Sequence, residues 1–128
     1  MRKHFAQDST DERWQYIGQS TSKEKYYIDV LTQYKMDDEF GVKEVWIKCI
    51  SPITKLNKNG KTLIYSNTVE LTLYEINCSK NEMKAKQDIT YDSKAKIIDS
   101  WENEFSSFRK AAPGSIGEMI LEESCKIH

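Results

Sequence analysis

The stretch that most constrains this chain is its tail, Pro113-Gly114-Ser115-Ile116-Gly117-Glu118-Met119-Ile120-Leu121-Glu122-Glu123-Ser124-Cys125. Ser115 followed three residues on by Glu118 is a capping box, in which each side chain satisfies a backbone donor of a helix's first turn. A helix is therefore expected to begin there. At about 100° per residue, Ile116, Gly117, Ile120, Leu121, Ser124, Cys125 and Ile127 share one half of the wheel, and Glu118, Glu122 and Glu123 share the other. Such a helix has one face to bury, with Cys125 at its margin. Gly117 lowers helix propensity, which predicts that the backbone there lies close against a sheet. A disulfide from Cys125 to Cys78 is the expected clamp between this helix and the strands.

A length of 128 residues suits one domain with one hydrophobic core. The 19 basic and 20 acidic side chains leave a net charge of −1, so no global field draws the chain to nucleic acid or anionic lipid, and an electrostatic partner must be met by a local patch. No apolar run approaches the roughly 18 residues of a membrane helix, and a soluble chain is expected. Met1-Arg2-Lys3-His4 resembles a signal n-region with no apolar stretch after it, so a targeting segment is expected to lie outside this sequence.

Cys49, Cys78 and Cys125 leave two alternatives: a secreted chain that pairs two of them, or a cytosolic chain with buried free thiols. There is no Cys-x-x-Cys, and the histidines, His4 and His128, stand at the ends, so the usual zinc spacings are excluded and no metal or cofactor is expected. A Cys78–Cys125 bond would close a long loop, worth on the order of 4 kcal/mol in the chain-entropy model.

Residues 1–12 are polar and aperiodic and read as a flexible lead-in, with a single domain over 13–128. Trp14–Gly18 and Lys25–Leu31 read as a hairpin turned at residues 20–22, and Asp37-Asp38-Glu39 marks a loop before Gly41. Val42–Ile50 reads as a central strand stopped by Ser51-Pro52, with Val45, Ile47 and Cys49 on one side and Val42, Trp46 and Ile50 on the other. Lys55–Lys61 reads as a polar loop around the turn signal Asn59-Gly60. Strands are predicted over Thr62–Ser66 and Thr68–Cys78, the latter placing Tyr74, Ile76 and Cys78 opposite Val69, Leu71 and Leu73. An edge hairpin follows, with Met83, Ala85, Ile89 and Tyr91 in its first strand, a turn at Asp92-Ser93, and Ala95–Trp101 as its second. Glu102–Ala112 carries no clear pattern. The sum is an α+β fold, about six strands in a curved antiparallel sheet with the C-terminal helix packed on one face and tethered by the disulfide.

The series Trp14, Tyr27-Ile28-Asp29, Val45-Trp46-Ile47-Lys48, Tyr74-Glu75-Ile76-Asn77-Cys78-Ser79-Lys80, Trp101, and Pro113-Gly114-Ser115 leading to Cys125 spans most of this expected domain. In order and spacing it resembles the surface-adhesin protein E family of bacterial envelope proteins. The resemblance implies an antiparallel sheet with a disulfide-tethered C-terminal helix, and an exported, surface-facing protein. Cys49 falls outside the matched pair; it can be a buried thiol, a competitor for pairing or a bridge between chains, and a buried thiol is expected. No lipid-attachment cysteine stands near the start, so membrane association is expected only through an anchor outside this sequence.

The chain has no phosphate-cradling glycine loop, no nucleophile elbow and no histidine-containing metal motif, so it is not expected to be an enzyme. Asp29 reads as a structural, hydrogen-bonded acid rather than a catalytic one. Lys80, Lys84 and Lys86 can line one outward strip, joined by Lys55, Lys58 and Lys61, that would hold acidic polysaccharide or acidic segments of matrix proteins; the plain alternative is a solvated strand face. Trp14, Trp46, Tyr65 and Tyr74 read as core aromatics rather than nucleic-acid stacking platforms, and no nucleic-acid partner is expected. The expectation is a non-enzymatic surface or periplasmic protein of the cell envelope that binds a host or extracellular-matrix ligand, protein or polysaccharide. The alternatives are an envelope assembly protein that forms homodimers through a strand edge, and a cytosolic small-ligand or nucleic-acid binder with reduced cysteines.

Overall fold

A computed structural model describes residues 12–31, 41–103 and 106–126, together with the backbone of 34–37. Its strands are β1 (Trp14–Gln19), β2 (Lys25–Asp29), β3 (Tyr34–Asp37), β4 (Val42–Lys58), β5 (Lys61–Asn77), β6 (Glu82–Tyr91), β7 (Ile97–Glu102) and β8 (Arg109–Lys110), followed by one helix, α1 (Ile116–Lys126). All pairings are antiparallel, in the order β1-β2-β4-β5-β6-β7, with β3 added beside β4 and β8 beside β6. The sheet thus has the expected six-strand path, the C-terminal helix and a Cys78–Cys125 disulfide. The expected lead-in lies, save for Glu12, outside the described residues.

The largest departures from the sequence reading fall on β4 and β5. β4 does not stop at Ser51-Pro52 but runs on to Lys58, and the expected loop shrinks to the turn at Asn59 and Gly60, both at positive φ. Pro52 is tolerated because β2 pairs no farther than Ile50, so the missing N–H falls where the strand has lost that neighbour. The two strands expected on either side of Asn67 are one, β5, in which Asn67 takes a left-handed backbone (φ 56°) while the register on β4 holds from Thr68 to Ser66. Asparagine adopts this conformation at low cost. β3 and β8 were not expected. The second strand of the edge hairpin begins at Ile97 rather than Ala95, because Asp92 Oδ1 accepts from the backbone N–H groups of Lys94 and Lys96 and extends the turn.

Strand alternation sorts the sheet into two faces. One carries Ile28, Val45, Ile47, Ile76 and Met83, which meet Ile120 and Leu121 of α1 in the buried core; Cys78 and Cys125 pack against it. Ser115 Oγ accepts from the Glu118 N–H at 3.1 Å, while the Glu118 carboxylate accepts from the Gly114 N–H at 2.7 Å, one residue earlier than an ideal capping box. Gly117 is not the point of closest approach: a Cβ there would lie 3.4 Å from Ala111 Cβ and 3.8 Å from Met83 Sδ, ordinary contact. The tight place is Gly18 in β1, where a Cβ would overlap the Met119 sulfur. The Cys78 and Cys125 Cα atoms are 5.7 Å apart across a sequence separation of 47.

Two outcomes are expected. Cys125→Ser lowers stability by about 2–5 kcal/mol in urea unfolding, and an unchanged midpoint would mean that apolar packing alone seats the helix. Gly18→Val costs about 1–3 kcal/mol by overpacking, and Met119→Ala restores most of it; strict additivity in that double-mutant cycle would refute the contact.

Candidate functional site

The three lysines expected to form a strip are treated differently by the fold. Lys84 and Lys86 stand on the sheet face opposite the helix, and a bulge between Leu73 and Tyr74 in the β5–β6 register brings them to the same carboxylate. Lys84 Nζ lies 3.4 Å from Glu75 Oε1, and Lys86 Nζ lies 3.2 Å from Glu75 Oε2 and 2.8 Å from Glu44 Oε2. The hydrogen bond to Glu44 holds the Lys86 ammonium above its ordinary pKa. Lys86 is therefore a partner of carboxylates within the protein. Lys80 sits exposed in the β5–β6 turn, its N–H donating to Asn77 Oδ1 and its carbonyl accepting from Lys110 Nζ at 2.8 Å.

That last contact leads to cations that strand patterning missed. The segment after β7 returns along the edge of β6: the Asn103 N–H donates to the Lys86 carbonyl, Ser106 Oγ to the Ala85 carbonyl, and β8 pairs Arg109 with Met83 and Lys110 with Glu82. Between this segment and β6 runs a groove of about 600 Å³. Tyr74, Met83, Ala85 and Trp101 form its apolar lining, Arg109 and Lys110 its cationic part, and Gly117 marks where it meets the helix; Lys84 also lines it, with its ammonium held by Glu75. Lys84 Nζ also lies 4.7 Å from the centre of the Phe108 ring. Trp101 is 42 % exposed.

The remaining half of the helix-bearing face is polar rather than apolar. Thr68, Thr72, Asp88, Thr90, Ser51 and Cys49 are all buried there. Thr72 Oγ1 donates to Asp88 Oδ1 at 2.6 Å, Thr54 and Thr68 share a hydrogen bond of 2.6 Å, and Tyr26 OH donates to Glu24 Oε1 at 3.1 Å. Burial, then a hydrogen bond to Asp88 and the charges of Asp88, Glu24 and Asp99, pushes the Glu70 carboxyl up to about 8. Glu70 is thus held protonated beside Asp88. Desolvation pushes Cys49 up to about 11 and Tyr74 to about 12, so this free thiol is buried and protonated. Asp29, also buried, accepts from the Leu31 N–H at 2.9 Å and lies 3.6 Å from Arg13 Nε, a structural role. Lys48 is buried between the rings of Trp14 and Tyr27, 4.9 and 5.1 Å from their centres.

Among the described residues, no three His, Cys, Asp or Glu side chains are placed to hold a metal ion, and no helix is long and apolar enough to cross a membrane. No family model, curated protein or solved structure matches the chain. The carboxyl pair carries a direct pH prediction. The folded pKa of Glu70 lies above its ordinary value of 4.5, so the stability it contributes is full below that value and is lost as pH rises through about 8. The melting temperature is expected to fall by several degrees between about pH 5 and pH 8, and Glu70→Gln to flatten that slope. A wild-type melting temperature that rises over this window would mean Glu70 is ionised in the fold.

Proposed function

We propose that this chain is an exported, non-enzymatic binding module of the bacterial cell surface or periplasm, of the adhesin E type, which holds an anionic segment of a macromolecule in the groove along β6. The observation that carries this reading is the meeting of Arg109 and Lys110 with the half-exposed Trp101 around one groove. Guanidinium and ammonium groups suit carboxylate or sulfate, Arg109 with the option of a bidentate bond, and an exposed indole suits the apolar face of a sugar ring or an aliphatic side chain. An acidic polysaccharide and an acidic stretch of an extracellular-matrix protein share that chemistry. The Cys78–Cys125 bond supports an oxidising compartment, and the adhesin E assignment rests on the residue resemblance set out above.

A second reading, assembly through a strand edge, is favoured by β1. Among the described residues its outer edge pairs with no strand, and Tyr16 on it is 52 % exposed. Sedimentation at high concentration separates the two, since a strict monomer removes self-association.

The groove is tested by solid-phase binding to a panel of matrix proteins and acidic polysaccharides. Arg109→Glu with Lys110→Glu, and separately Trp101→Ala, are each expected to weaken binding about tenfold or more. The charge-reversed variant is also expected to lose most of the salt dependence. Binding that survives both changes, or no binding to any member of the panel, would overturn the proposal.

A further inference from the structure

The β4–β5 hairpin outruns its neighbours. The last pairing of β2 on β4 is Lys25 with Ile50, and the last pairing of β6 on β5 is Tyr91 with Val69, whereas β4 and β5 continue to pair with each other as far as Lys58 and Lys61. Ile53–Lys58 and Lys61–Ser66 therefore form a two-stranded ribbon, roughly 20 Å long at the usual rise per residue. Isolated ribbons of this kind are marginal in water unless one side is covered. Here one side is partly covered: Lys58 Nζ donates to the Ile98 carbonyl of β7 at 2.6 Å, and Leu56 and Tyr65, which point to the same side as Lys58, are half-buried.

The other side is open and chemically mixed. The register puts Lys55 directly across from Ile64, with Ile53 two residues before it, and Ile53 and Ile64 are 61 % and 66 % exposed. From Ser51 to Val69 the chain has three lysines, Lys55, Lys58 and Lys61, and no carboxylate. With the whole chain at −1, this +3 ribbon leaves −4 on the remainder, so a negatively charged surface attracts the ribbon and repels the rest.

We propose that the β4–β5 ribbon is a membrane-docking arm that lays Ile53 and Ile64 into the interface of an anionic lipid bilayer while Lys55, on the same side, meets the headgroups and Lys61, paired with Lys58 at the tip, adds to the attraction. Charge complementarity and the two bare alkyl side chains together select this occupant. A polyanion satisfies the lysines but offers nothing to the isoleucines. A second copy of the ribbon would bring like-charged lysines against each other. An anionic bilayer takes both, since interfacial binding adds buried apolar area to attraction of basic side chains by lipid charge. The inference uses none of the groove residues and stands apart from the proposed ligand site.

The test is co-sedimentation of the full chain with phosphatidylcholine vesicles prepared with and without phosphatidylglycerol. Partitioning is expected only with phosphatidylglycerol present, and raised salt is expected to weaken it. Ile53→Ser with Ile64→Ser, and separately Lys55→Glu with Lys61→Glu, should each lower the partition coefficient about tenfold. Thermal unfolding checks that each variant is folded, and the lysine pair alone carries the test if the isoleucine pair is not. The proposal is overturned by an absence of partitioning, by equal partitioning into both vesicle types, or by a folded variant that partitions as the wild type does. Without vesicle binding, retention on heparin lost only in the lysine variant would assign the ribbon to a polyanion. A dimer lost only in the isoleucine variant would assign it to a second copy.

Discussion

A helix of 11 residues can cover only part of one face of a sheet whose two longest strands have 17 residues each, and the bond between Cys78 and Cys125 holds it over that part. The consequence is a core divided along the strands. Under the helix, Ile28, Val45, Ile47, Ile76 and Met83 close against Ile120 and Leu121. Beyond its reach, the same face of β4, β5 and β6 has no helix to bury apolar side chains against, and there it carries Thr68, Thr72, Asp88 and Thr90. The covalent tie also spares the helix from supplying all its own docking energy, which its single apolar face and short length would otherwise have to provide.

The polar half is stable because its groups satisfy one another. Asp88 accepts from Thr72, Thr54 and Thr68 share a bond, and Glu70 keeps its proton beside Asp88. Two carboxyl groups so placed in a region sheltered from water cannot both ionise at low cost, so one is held neutral. This is a hydrogen-bonded interior rather than an exposed acidic site. It makes the proton inventory of the sheet interior a matter of fold stability and leaves the cationic groove along β6 and the projecting ribbon as the surfaces turned outward.

Those two surfaces arise from the same geometric fact, that neighbouring strands have different lengths. β6 extends past β7 at the Glu82 end, and the chain returning through Asn103 and Ser106 to β8 fills that edge incompletely, leaving the groove with Trp101, Arg109 and Lys110. β4 and β5 extend past β2 and β6 at their other end, leaving the ribbon. Lys84 and Lys86, which fall within the sheet, meet carboxylates on adjacent strands and are neutralised. Among the described residues, Lys55, Lys58 and Lys61 on the ribbon meet none.

The tail helix, its cap and the buried side of β4 could be read in advance because each follows from short-range rules, whereas the expected Cys78–Cys125 bond joins residues 47 apart and depends on the fold. The Ser115–Glu118 spacing, the 3.6-residue wheel and the two-residue alternation need no knowledge of neighbours. What residues 52–67 do could not be read that way. Pro52 and Asn67 look like stops, but β2 pairs no farther than Ile50 and β6 no farther than Val69, so each has a free outer edge, and asparagine tolerates the left-handed backbone, which lets the β4–β5 ladder run through them. The same limit applies to the site: Lys84 and Lys86 were visible as a cationic alternation, but their neutralisation by Glu44 and Glu75 depends on strands far apart in the chain. Arg109 and Lys110 sit in a stretch without periodicity, and only pairing with β6 gives them a place. By itself the sequence determined the tail helix and the middle of the six paired strands, because these follow from local periodicity. Tertiary structure decided which strand ends are left without neighbours, because that depends on where each partner strand stops.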